Sequence, residues 1–292
     1  DGYGGDTAVG YQSGLALTKG RETTAIGAYA LAAEDEGDGS TAVGYAALYF
    51  QNIGGSQNDA TGNTGIGAGA GDYNVTGTNN TWVGYHAGFG ASGQSNSNNT
   101  GVGKDALLAV RDGGSNVAIG ALALDGLTSG DSNVGIGGDA LGGAVTGDFN
   151  IAIGQAAGLA VTSGHSNILI GHDAGSALTT GITTIAIGKN AGKTLSTNTN
   201  GELVIIGAGA GLSITTGYNT VCIGGGAMGE SAGNAVTGNS NTVVGYLGGY
   251  ELAGAASDHT LIGAAAGMNI DNTGANGTTA IGKNALLNLT QG

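Results

Sequence analysis

The amino-acid sequence predicts an all-β protein, a parallel β-solenoid (β-roll) of about sixteen coils of mostly 17 residues. Three observations predict it. One short unit recurs along the chain, its residues fall in strict columns, and the columns hold β-branched, small or glycine residues rather than helix formers. The composition agrees. Of 292 residues, 64 are Gly and none is Pro. High Gly without Pro and without a three-residue period excludes collagen. A hydrophobic content of 40% excludes a disordered chain. The lack of Pro suits a structure in which nearly every backbone N–H enters a ladder.

The unit is seen by setting "SNVAIGALALDG" at 115–126 beside "NVGIGGDALGG" at 133–143, "NIAIGQAAGLA" at 150–160 and "NILIGHDAGSA" at 167–177. Its anchor glycines are Gly10, Gly27, Gly44, Gly67, Gly84, Gly103, Gly120, Gly137, Gly154, Gly171, Gly188, Gly207, Gly224, Gly245, Gly263 and Gly282. Nine of the fifteen spacings are 17 residues and the others are 18, 19, 21 or 23, never shorter. A minimal coil therefore carries insertions, with longer loops near 45–66, 85–102 and 225–244 in a single repeat domain, 1–292.

The columns give the physics. Val or Ile precedes every anchor, and Thr, Val or Ile stands two residues earlier. Alternate strand positions share a face, so this pair is predicted to point inward. Its rungs are Val9, Ile26, Val43, Ile119, Ile136, Ile153, Ile170 and Ile187. A charge at Ile153 is then expected to break the core. Three residues after the anchor stands Ala in fourteen units, and the next position is Gly or Leu except at Met228. A small residue held so tightly predicts two backbone segments in near contact. Leu127, Val161, Leu178, Leu195 and Ile214 predict a second short strand per coil. Such a coil buries no core alone, but stacked coils do.

Function classes fall away in turn. The formal charge of −14 argues against nucleic acid and anionic lipid as partners. Leu203 to Gly229 carries no charge, but its Gly, Thr, Ser and Asn content and its repeat argue against membrane insertion. "TIAIGKNAGKTLS" at 184–196 imitates a phosphate loop, yet three residues rather than four separate Gly188 from Gly192-Lys193. "GVGKDA" at 101–106 and "GIGGDA" at 135–140 lack the βαβ unit that a dinucleotide site needs. His86, His165, His172 and His259 are expected as exposed turn residues without metal-ligand spacing. "EDEGD" at 34–38 offers carboxylates for a hard cation but reads better as a solvated loop. Cys222 stands alone. No catalytic, cofactor-binding or metal residues are assigned, and no cofactor is expected.

Aromatics are few. Tyr11, Tyr45, Tyr85 and Tyr246 each follow an anchor. Tyr49, Phe50, Phe89 and Tyr250 lie at or beside lengthened coils, which makes them the candidates for receptor contact.

"SNVAIGALALDG" resembles the head repeats of trimeric autotransporter adhesins, the YadA-like family, and "TAVGYQSG" at 7–14 and "TAVGYAAL" at 41–48 are similar to arrays in phage tail-fibre proteins. The resemblance covers essentially the whole chain. It implies a left-handed roll in which three chains pack side by side, with the Ala/Gly columns at the surfaces of approach. It also implies an extracellular, cell-surface or virion-surface fibre that contacts a receptor or glycan. The commonest unit is longer than the usual adhesin head repeat, and no stalk, neck or membrane barrel is expected within residues 1–292.

The expected function is therefore a non-enzymatic attachment module with a rigid trimeric shaft. The alternative is a filament subunit stacked end to end, because coil one starts almost at Asp1 and coil sixteen runs nearly to Gly292 without a helix or polar cap. A third class, ice or mineral binding by the nine-membered Thr column from Thr7 to Thr279, is disfavoured if those hydroxyls point inward with the Val/Ile rungs.

Overall fold

The structure, a computed structural model, describes residues 4–53, 60–91, 95–197, 201–229, 235–270 and 276–289. It is all-β, with sixteen parallel strands wound as a β-solenoid and no helix among the described residues. Two compact units, Asp1–Gly147 and Asp148–Gly292, are distinguished. In the first, β1 (Thr7–Val9), β2 (Thr24–Ile26), β3 (Thr41–Val43), β4 (Thr64–Ile66), β5 (Thr81–Val83), β6 (Thr100–Val102), β7 (Val117–Ile119) and β8 (Val134–Ile136) pair in chain order. In the second, β9 (Ile151–Ile153), β10 (Ile168–Ile170), β11 (Thr184–Ile187), β12 (Leu203–Ile206), β13 (Thr220–Ile223), β14 (Thr242–Val244), β15 (Thr260–Ile262) and β17 (Thr279–Ile281) do the same. There β16 (Asn269–Ile270) and β18 (Asn288–Leu289) form a separate pair. Of the longer loops, 54–59, 92–94 and 230–234 lie outside the described residues.

Register follows the sequence columns: Val9 pairs with Ile26, Ile119 with Ile136, and Ile153 and Ile187 both with Ile170. The anchor glycine ends each strand at φ between +122° and +148°. A side chain is strained there whatever the space, and space is also lacking. A Cβ on Gly44 would lie 2.5 Å from the carbonyl oxygen of Gly67, and one on Gly171 2.5 Å from that of Gly188.

The strand's inward face is the opposite of the predicted one. The central residue of each triplet points into the coil: Ala25, Ala42, Trp82, Ala118, Ala152, Leu169, Ala186 and Cys222 are all fully buried. The flanking Val/Ile and Thr columns point outward. Val9 is 58% exposed, Ile26 39%, Ile119 41% and Ile153 37%, while Val43, Ile136, Ile170 and Ile187 are half-buried. The ladder exists, but on the outer surface. With triplet strands the two faces differ by one residue, and both are apolar, so alternation alone does not choose between them. The thin interior chooses, because it has room for one side chain per triplet and not two. The outward Thr hydroxyls follow from the same parity.

Opposite the strand, the Ala three residues past the anchor and its successor close the core, and Ala30, Ala47, Ala70 and Ala174 are fully buried. A Cβ on Gly65 would lie 3.0 Å from the carbonyl of Ala70, so the expected near contact of two backbone segments is present. Volume is shared between the strand centre and the Gly/Leu column. Ala25, Ala42, Ala118 and Gly135 go with buried Leu31, Leu48, Leu124 and Leu141. Trp82, Leu169 and Leu261 go with Gly88, Gly175 and Gly267. A Cβ on Gly71 or Gly101 would meet the Trp82 ring at 2.5 or 2.8 Å, and one on Gly88 would overlap it.

The expected second strand is mostly reduced to single bridges, such as Ile214 to Val236 and Val236 to Gly254. Its side chains do fill the core, for Leu127, Val161, Leu178 and Leu195 are fully buried. Backbone in the left-handed region after each anchor, for example Leu122 at φ 58° and Leu124 at φ 52°, breaks extended geometry on this side. Hydrogen bonds between coils continue regardless, as from Leu124 N–H to Ala140 C=O at 2.9 Å.

A column absent from the sequence reading is a buried asparagine ladder four residues before the anchor. Asn63, Asn80, Asn99, Asn116 and Asn133 line the first unit, and Asn150, Asn167 and Asn241 the second. The Oδ1 of Asn99 accepts the backbone N–H of Asn116 at 2.9 Å and its side-chain amide at 3.1 Å. That amide also donates to the carbonyl of Gly130 at 2.9 Å. Each side chain thus bonds both the next coil and its own closing turn, which satisfies polar atoms at the corner of a dry core.

Trp82→Ala is expected to destabilise by about 3–5 kcal/mol, the range for deleting a buried ring. Adding Gly88→Leu should recover about 1–2 kcal/mol of that, because Leu fills this column beside the small strand centres Ala25, Ala42, Ala118 and Gly135. Chemical denaturation of the single and double variants checks this, and no recovery would refute the shared-volume account.

Candidate functional site

The distinctive surface of the first unit is aromatic. Residues one and two past the anchor and residues five and six past it emerge along one side of successive coils. Stacking puts their rings in contact. Tyr29 meets Tyr11 at 5.4 Å, Tyr45 at 5.9 Å and Tyr49 at 6.0 Å between centroids. Tyr49 meets Phe50 at 4.5 Å, Phe50 stacks on Tyr73 at 4.8 Å, and Tyr73 meets Phe89 at 5.1 Å. His86 joins Phe89 at 4.5 Å to Tyr85 at 3.8 Å. Inter-coil backbone bonds hold these rungs, among them Tyr29 N–H to Tyr11 C=O at 2.9 Å and Phe50 N–H to Asp72 C=O at 3.0 Å.

Three of the four predicted contact residues, Tyr49, Phe50 and Phe89, belong to this track. Tyr250 lies in the second unit, where its ring edge approaches Gly226. The sequence reading passed over Tyr29, Tyr73 and Asp72. For Asp72 and Tyr73 the signal is the position five and six past the anchor, where Tyr49, Phe50, Asp72, Tyr73 and Phe89 occupy coils three to five; Tyr29 stands two past its anchor, outside that column.

A cavity of about 320 Å³ opens within the track, lined by Tyr29, Tyr45, Ala46, Tyr49, Phe50 and Asp72. That is at the small end for a ligand site. Three ring pairs around it stand near perpendicular: Tyr29–Tyr45 at 85°, Tyr29–Tyr49 at 76° and Tyr49–Phe50 at 87°. Asp72 closes one side. Its Oδ1 is sheltered from solvent without a hydrogen-bond partner, and burial pushes its carboxyl up to about 6.

Other predicted features resolve into structure. Lys193 of the loop-like "GKT" pairs with Asp173 at 2.7 Å, which holds that carboxyl below its ordinary value. In the acidic loop Glu34 is not solvated. It is buried, accepting from Gly37 N–H at 2.8 Å and from the Gln51 amide at 2.7 Å. Asp38 accepts from Arg21 N–H at 2.7 Å, and Glu36 pairs with Lys19. His259 is likewise buried, not exposed, and its Nδ1 accepts from Thr278 N–H at 3.3 Å. His86 and His172 lie beside Asp105 and Asp173. The Cys222 thiol is buried, donates to Ala227 C=O at 2.9 Å and is pushed up to about 12 by burial. Among the described residues no group of three or more His, Cys, Asp or Glu is placed to hold a metal, and no helix is long and apolar enough to cross a membrane.

Asp72 makes a pH-dependent prediction. Its folded value lies above the ordinary 3.8, so the ionised form is penalised only in the folded state. Stability is full below about 4, falls as pH rises through about 6, and then levels. The shift corresponds to about 3 kcal/mol in full and, discounted for partial exposure, about 1–2 kcal/mol. Asp72→Asn is expected to raise the melting temperature at pH 8 and to leave it unchanged at pH 4. An equal effect at both values would refute the burial penalty.

Comparison of the chain with protein-family models, with curated proteins and with solved structures returns no match.

Proposed function

We propose that the chain is a non-enzymatic structural fibre protein, a surface-exposed attachment module whose shaft is a homotrimer of β-solenoids. The observation that carries this reading is the outward Val/Ile ladder. In each unit it runs through every coil beside a column of Thr, Val or Ile. From β7 through β13 that companion column is Val or Ile throughout. A monomer rarely leaves so regular an apolar surface in water. A repeating flat surface is complemented by an equal repeat, and a second copy of the chain supplies one. The resemblance to adhesin heads supports three chains and a cell or virion surface. The aromatic track supplies the contact surface of the module.

A second reading draws on another property of the same face. Thr7, Thr24, Thr41, Thr64, Thr81 and Thr100 stand in register on consecutive strands, outward and about 4.8 Å apart. A regular row of hydroxyls and methyls suits an ordered surface such as ice or mineral. The two readings exclude each other for any one molecule, because a face buried between chains binds no surface.

Light scattering with size exclusion is expected to give a mass three times 27.8 kDa. Ile153→Asp, now an outer-face charge, should release folded monomers rather than unfold the coil. A wild-type monomer would overturn the trimer, and a monomer with thermal hysteresis would establish the second reading in its place.

A further inference from the structure

The cavity within the aromatic track has a shape and charge that select one chemistry. We propose that the site between Tyr29, Tyr45, Tyr49, Phe50 and Asp72 binds a methylated ammonium group, the charged head of a small organic cation. This goes beyond the attachment reading and does not depend on how many chains assemble.

Ring orientation is the first argument. Aromatic faces carry negative potential, and rings near perpendicular to one another turn several faces or edges toward a common volume. Tyr29, Tyr45, Tyr49 and Phe50 do so at 76° to 87°. A compact cation with an apolar skin fits such a box, because each wall attracts the charge while the methyl groups satisfy the apolar contact. A sugar ring asks for a broad single platform and a set of directed polar partners, and one carboxylate is the only charged group in the lining. A bare metal ion asks for several oxygen ligands. Primary ammonium and guanidinium groups need several hydrogen-bond acceptors to replace their water.

Charge is the second argument. The Asp72 carboxylate has one oxygen sheltered without a hydrogen-bond donor. A methylated ammonium brings charge without demanding a full shell of acceptors, so it complements a carboxylate that is partly desolvated. The whole-chain charge of −14 raises the local concentration of cations. Access is open, since Tyr45 is 61% and Phe50 38% exposed.

A free small cation and the headgroup of a zwitterionic lipid share this chemistry. The test therefore has two arms, both on the purified, assembled protein. In the first, tyrosine ring signals are followed by NMR during titration with choline and with 3,3-dimethyl-1-butanol, its neutral isostere, at fixed ionic strength. Saturable shifts of the cavity rings are expected, with choline favoured about tenfold. Tyr49→Phe should retain binding, and Tyr49→Leu and Asp72→Asn should each weaken it about fivefold or more while the protein still melts cooperatively. In the second arm, sedimentation with phosphatidylcholine vesicles, competed by choline, assigns the headgroup as source. Choline binding without vesicle binding assigns a soluble cation. The proposal is overturned if choline produces no saturable shift, if the isostere binds equally well, or if Asp72→Asn leaves the affinity unchanged.

Discussion

Each coil rests on the next at a glycine that no other residue can replace. The backbone there is in a region closed to side chains, and the carbonyl of the following anchor lies where a Cβ would stand. The close approach fixes where one coil sits on its neighbour, and hence the register of every column. Insertions are tolerated only away from this point, which is why spacings exceed 17 residues but never fall below it. Given the register, like residues meet like residues at strand spacing. The outward Val/Ile ladder, the inward asparagines and the aromatic track are three consequences of that one constraint.

How much of this was legible in the sequence depended on which signals were one-sided. The anchors, the coil length and the near contact behind Ala70 could be read directly, because steric exclusion leaves a single residue type. The strand face could not. Ile26 and Val43 look like core by hydrophobicity, and Ala25 and Ala42 look like spacers, yet the interior is so thin that the small residues belong inside. The pairing of Trp82 with Gly88, or of Ala118 with Leu124, was the signal that decides parity, since only side chains sharing a volume compensate in size. The site was half legible. Tyr49, Phe50 and Phe89 stood out as rare residues near insertions. Tyr29 and Asp72 did not, because a cavity formed across three coils is a property of stacking and not of any local motif.

The outer face and the aromatic cavity are separated by their positions in the coil. The face is built from the two strand residues that flank the buried centre. The cavity is built from the turn beyond the anchor, where backbone at φ 64° for Tyr29 turns the chain aside from the strand. Chains can therefore associate through the one without consuming the residues that define the other. This division is available to a repeat fold at little cost, because the strand triplet and the turn vary independently from coil to coil.

The asparagine ladder shows how the same fold substitutes one kind of hydrogen bond for another. Where Asn occupies the corner, its Oδ1 takes the N–H of the next coil and the strand is three residues long, as in β7 and β8. At Thr184, Leu203 and Thr220 the column lacks Asn, and β11, β12 and β13 lengthen to four residues. Thr184 now pairs with Leu203, and Leu203 with Thr220, through the backbone ladder itself. The N–H groups at the corner must be satisfied in either case, because the corner is dry. A side-chain amide does this while also tying down the closing turn, whereas an aliphatic residue can only hand the task back to the main chain. In these three coils the corner residue itself joins the strand, and the corner changes chemistry without disturbing the register that the anchor glycines impose.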